Sequence, residues 1–187
     1  MLAHPLISPS ASLSEDPPGP QPAPGWQECD GATDRSAWHP EVARFFEYWL
    51  SIAPGAALPG RQHFDPLDIV ELMPRVWILD VIREAGDIRF RYRLVGTKEV
   101  ETLQREVTGQ WLDEVHPHLT QSPSGFARFR HHVDFGKATY RKGEVSFLHH
   151  KDHRTVENCM VPMARDGRLV DMIAVCSVLY LSSGAAT

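Results

Sequence analysis

The chain has 187 residues, 42% of them hydrophobic, and a formal net charge of −5, which is enough for one domain with its own core. That balance lacks the clustered Lys and Arg needed to neutralise phosphates, which argues against nucleic acid. No apolar run approaches the ~18 residues of a membrane span, and the N-terminus lacks the basic and apolar regions of a secretory signal.

Residues 1–36 hold seven of the fifteen prolines, and Glu15, Asp16, Glu28, Asp30 and Asp34 against the single base Arg35. They therefore carry four of the five net negative charges and leave the rest of the chain nearly neutral. With few large apolar residues, this segment reads as a flexible acidic leader. The domain proper is expected over 37–181, with a short tail at 182–187. Cys29, Cys159 and Cys176 show no CxxC spacing and no disulfide framework, and the two in apolar strands read as small buried residues. The expected location is cytoplasmic.

The first element is a helix over Trp38–Ala53, where Val42, Phe45, Phe46, Trp49 and Leu50 make an amphipathic stripe. Pro40 suits its first turn, and Pro54-Gly55 ends it. Asp65 is the N-cap of a short helix with Pro66 at its first position, stopped by Pro74. Val76–Ile82 is apolar on both faces apart from Asp80. After a turn at Glu84-Ala85-Gly86-Asp87 comes a strand that alternates Ile88, Phe90, Tyr92 and Leu94 with Arg89, Arg91 and Arg93. A short helix at Lys98–Arg105 and a turn around Gly109 follow. Ser122-Pro123 opens a longer helix with Phe126, Phe129 and Val133 on one stripe and Gly136 as its stop. Strands at Glu144–His150, Val156–Met163 and Leu169–Leu181 complete the chain.

Strands apolar on both faces belong inside a sheet, and strands with one polar face suit its edges. Numbering the five strands in chain order, the arrangement that places the two apolar strands side by side is 2-1-5-4-3. The fold class is therefore α+β, a five-stranded antiparallel sheet with helices on one face and an N-terminal amphipathic helix.

The ordered set Phe64-Asp65-Pro66-Leu67-Asp68-Ile69, Met73-Pro74, Leu79-Asp80-Val81, Phe90 to Thr97 and Val107-Thr108-Gly109 resembles a family of bacterial single-domain PAS-like proteins. The resemblance covers Val42 to Leu181. It implies a sensory or interaction module, a small ligand held between sheet and helices, and a homodimer formed through the N-terminal helix. It supplies no catalytic residues. Photosensing PAS domains carry an Asn-Cys-Arg motif on the helical segment, and its absence here argues against a covalent flavin.

On this reading the inner lining is Phe90, Tyr92, Leu94, Trp111, Phe126, Phe129, His132 and Val133, the alternative being a filled core. His132 sits at the margin of the helical stripe and is the one candidate axial ligand for haem, the alternative being a boundary histidine. Val42, Phe45, Phe46, Trp49 and Leu50 are the candidate dimer interface. Of His149, His150 and His153, only one of the first two can share the core face, which disfavours a metal site. The arginine row is either an anion or partner surface, or a solvated face paired with acids. Only six residues follow the last strand, so a signal is expected to leave through the N-terminal helix, an oligomer interface or a separate output protein. The rival reading is a cup-shaped enzyme with Asp80 and Tyr92 as its proton-transfer pair.

Overall fold

In the computed structural model, residues 25–84, 86–121, 125–144, 153–181 and 184–186 are described. Pro40 starts the N-terminal helix α1 (Pro40–Ser51), and the ring of His39 caps it by accepting from the Glu41 amide at 3.3 Å. Asp65 caps a single 3-10 turn, Pro66–Ile69, by accepting from the Leu67 amide at 2.9 Å. The strands β2 (Val76–Glu84) and β3 (Asp87–Val95) form a hairpin, and α2 (Thr97–Leu103) and α3 (Leu112–Val115) follow. The helix α4 (Ala127–Phe135) ends on Gly136, whose φ of 61° is the left-handed conformation that a glycine reaches without penalty. Its expected start at Ser122-Pro123 lies outside the described residues.

Among the described residues, β1 (Trp26–Cys29), β2, β3, β4 (Ala138–Glu144), β5 (His153–Met163) and β6 (Met172–Leu181) make one antiparallel sheet in the order β1-β4-β5-β6-β2-β3. Two expectations need correction. Residues 26–29, read as part of the leader, form a sixth strand on β4, with Trp26 opposite Arg141 and Cys29 opposite Ala138. Composition hid it, because four residues bury little area by themselves and the pairing partner lies over a hundred residues away. Where the third of the five strands was foreseen at Glu144–His150, a strand runs over Ala138–Glu144, residues 145–150 lie outside the described residues, and β1 takes the edge position beside it. His149 and His150 lie outside the described residues.

The sheet has two covered faces. On the outer face α1 packs Val42, Phe45 and Phe46, all 0% exposed, against Ile78, Val161, Met163, Ala174 and Cys176. On the inner face α2, α3 and α4 cover Leu79, Phe90, Tyr92, Met160, Ile173 and Val175. The apolar stripe expected to join two chains is thus spent on its own sheet. Trp49 and Leu50 are half-buried at its rim, and the Trp49 indole donates to the Pro162 carbonyl at 2.9 Å.

One irregularity sets the inner lining. The pairing of β2 with β3 shifts between Ile78 and Leu79, so that Tyr92 faces Leu79 while Leu94 faces Ile78, with Arg93 as the additional residue. An additional residue reverses the alternation beyond it. Leu94 therefore packs with the outer cluster, and Val95 turns inward in its place.

Candidate functional site

A cavity of about 410 Å³ lies between the inner sheet face and α2–α4, within the range of about 300–1,000 Å³ usual for small-molecule sites. Its apolar wall comes from Trp77, Val95, Leu103, Leu112, Leu119, Phe129, Val156, Met160 and Leu179. Of the eight residues expected to line a pocket, Tyr92 and Phe129 do so. Phe90 is buried beneath them, its ring 5.5 Å from Phe129 and 6.0 Å from Phe126, and Val133 packs into the same cluster. Trp111 lies outside the cavity beneath two arginines, with the Arg89 guanidinium 4.0 Å from its ring centre. Leu94 is on the other face, as the bulge requires.

His132 is fully buried and uses both ring nitrogens internally. Nδ1 donates to the Lys137 carbonyl at 2.6 Å, and Nε2 accepts from the Thr139 hydroxyl at 3.0 Å. That hydroxyl in turn accepts from Arg128 Nε at 2.7 Å. Burial and the neighbouring Arg128 charge bring the imidazole pKa down to about 3, so the ring stays neutral and the tautomer is fixed. The haem-ligand reading of His132 is corrected: its nitrogens are engaged and it does not line the cavity.

The rival proton-transfer pair is not assembled either. Asp80 lies on the outer face, paired with Arg93 at 2.5 Å and Arg91 at 3.6 Å. Tyr92 points inward, its hydroxyl 3.0 Å from His116 Nε2. Neighbouring positions on a strand face opposite ways, and the β2–β3 register sets Asp80 against Arg91 and not against Tyr92. The arginine row is matched by acids along its length, since Arg89 completes it with Asp113 at 2.9 Å.

The polar groups of the cavity fall into two sets. Toward β2 and β3 stand Tyr92, His116 and Glu99, all on the lining. Burial pushes the Glu99 carboxyl up to about 8 against the opposing charge of Arg75, and burial brings His116 down to about 4 with His118 and Arg105 adding repulsion. This set is therefore largely uncharged near neutral pH.

Toward β1, β4 and β5 stand Trp26, Arg141, Asn158 and Arg128. Arg128, 7% exposed, extends from α4 to the sheet: Nε donates to the Thr139 hydroxyl, Nη1 to Asn158 Oδ1 at 2.7 Å and Nη2 to the Thr139 carbonyl at 3.1 Å. All three acceptors are neutral. Burial drags its pKa down to about 9, and Arg141 adds like-charge repulsion.

Arg128, Arg141, Trp26 and Asn158 escaped the sequence reading. The traceable signal was Arg128 beside Phe129 and four residues before His132, a spacing that puts a cation on the inward face of α4. Nothing local marked Trp26 or Arg141, which meet only through the β1–β4 pairing.

Searches of curated proteins and of solved structures return no match. A family model for the PAS domain matches residues 37–131, from just before α1 to the middle of α4, and so spans the hairpin and the helices that roof the cavity. With more than half of its length matched in this way, the chain belongs to the PAS domain family.

Proposed function

We propose that this chain is a non-enzymatic sensory module that takes a small ligand into the cavity between its sheet and α2–α4. The observation that carries this reading is the cavity itself: about 410 Å³, mainly apolar, with a few convergent polar groups. Membership of a family of sensory and ligand-binding domains supports it. That cavity volume far exceeds what one or two structural waters need, which suits a ligand better.

The signal leaves through the outer face. Asn158 lines the cavity, and its neighbour Glu157 points the other way, to accept from the His39 amide at the start of α1 and from the Tyr180 hydroxyl at 2.8 Å. A ligand that shifts β5 therefore acts on the seat of α1, from which a second copy of the chain or a separate output protein reads the change.

Native mass spectrometry of gently purified protein, followed by unfolding and refolding to strip any ligand, tests the proposal. The expected result is a bound mass that disappears together with a fall in Tm of about 5–10 °C. That fall corresponds to the ~2.7 kcal/mol that a ligand at a hundred times its Kd contributes. No bound mass, with no small molecule raising the Tm of the stripped protein, would remove the sensory reading.

A further inference from the structure

The cationic end of the cavity is chemically incomplete. Arg128 has no carboxylate partner among the described residues, and its hydrogen bonds go to a hydroxyl, a side-chain amide and a carbonyl. Arg141 Nε is buried without a hydrogen-bond partner among the described residues, and its Nη2 reaches only the Glu144 carbonyl. Trp26 Nε1 is likewise buried with no acceptor among the described residues. These donors converge for a topological reason: Trp26 and Arg141 are cross-strand partners, and Thr139, two residues before Arg141 on the same face of β4, holds Arg128.

Two guanidiniums and an indole N–H around one end of a cavity supply donors and no acceptor. Buried polar groups are ordinarily paired, and buried charges more strictly so. Other partly buried cations of the sheet meet carboxylates, as with Arg93 on Asp80 and Lys142 on Glu157. The guanidinium fork matches the two oxygens of a carboxylate, whereas the remainder of the lining is apolar or uncharged.

We propose that the cavity recognises an organic monocarboxylate with an apolar body. Its carboxylate is held by Arg128 and Arg141 with Trp26 Nε1 as a further donor, and its body lies across Met160 and Trp77. This rests on the ligand-binding reading and adds the chemical class of the ligand. Bound there, the anion separates two repelling cations and gives the orphaned donors their acceptor.

Isothermal titration of the stripped, full-length protein with three probes of one chain length, octanoate, octanamide and octylamine, tests the assignment. Octanoate is expected to bind at least tenfold more tightly than the amide, and the amine not measurably. Arg128→Gln, which retains a donor toward Thr139, should lower octanoate affinity at least tenfold and leave octanamide within twofold. Should that variant fail to fold, Arg141→Gln, on the more open β4, should lower octanoate affinity at least threefold. Equal binding of octanoate and octanamide, or octanoate affinity unchanged in a folded variant, overturns the carboxylate assignment and leaves the sensory reading standing. Absence of binding by all three probes, with no co-purified mass, overturns both.

Discussion

Truncation of Phe46 to alanine tests where α1 spends its apolar stripe. Phe46 is 0% exposed and its ring lies 5.7 Å from Trp49, nearly parallel, and 5.6 Å from Trp38. Burying such a side chain stabilises by about 1.5–3 kcal/mol, and each aromatic pair adds about 0.5–1.5 kcal/mol. The sum, about 2.5–6 kcal/mol, brackets the range of about 3–5 kcal/mol found when a core Phe is reduced to Ala. With a urea m-value of about 2 kcal/mol/M for a domain of this size, the midpoint should move down by roughly 2 M. Circular dichroism through a urea titration reads the shift, and sedimentation of the same samples reads the assembly state. A midpoint within about 0.3 M of wild type, together with a change in sedimentation, would show that Phe46 faces another chain and would refute the packing argument.

Gly96 follows β3, and a Cβ there would run into the backbone carbonyls of Met73 and Pro74. Gly96→Ala should therefore cost about 2 kcal/mol in a denaturation midpoint, and a neutral result would mean that this turn yields. Val95 lines the cavity, so Val95→Trp should fill part of it and abolish the ligand-dependent rise in Tm while the far-UV spectrum stays native; a retained rise would place the ligand elsewhere. For Glu157, burial raises the carboxyl pKa, but the bonds from His39, Lys142 and Tyr180 outweigh it and the folded value is lowered. A folded pKa below the unfolded one gives stability that is complete above the ordinary glutamate value of 4.5 and is lost as pH falls through the folded value. Glu157→Gln should flatten that acid limb in thermal melts from pH 7 to pH 3, and an unchanged limb would assign acid sensitivity to other carboxylates.

Much of the fold was legible because its signals are local. The stripe of α1, the Asp65 cap, the glycine stop at Gly136 and the alternation of β3 each lie within a dozen residues, where periodicity and turn chemistry act. The site was less legible because it depends on register. Alternation from Phe90 through Leu94 was read to its end, yet the pairing shift at Ile78/Leu79 turns Leu94 outward and Val95 inward. No property of residues 88–95 taken alone announces that shift. Trp26 was hidden in a proline-rich, acidic segment, and its role exists only because β1 pairs with β4. On α4 the stripe was centred on Phe126, Phe129 and Val133, whereas the buried face turns on Arg128, Phe129 and His132. Arg128 drew no reading and His132 was placed only at the margin of the stripe, and the structure buries both.

The contrast between the two sheet faces bears on what the cavity is for. On the outer face every prominent charge meets its opposite: Asp80 with Arg93, Glu157 with Lys142, and Arg75 with Glu41 at 2.5 Å. Among the described residues, the inner face departs from that habit at Arg128, which has no carboxylate partner. A guanidinium removed from water costs several kcal/mol unless an anion or a full set of acceptors meets it, and Arg128 has neutral acceptors for three of its five N–H groups. Thr139 and Asn158 hold the guanidinium in one orientation, and the neutral His132 behind Thr139 fixes which way that hydroxyl points. The network thus fixes the position of a cation without neutralising it. A core built only for stability gains nothing from that arrangement, whereas a receptor gains orientation of the ligand before it arrives, and with it the ordering cost that binding would otherwise incur.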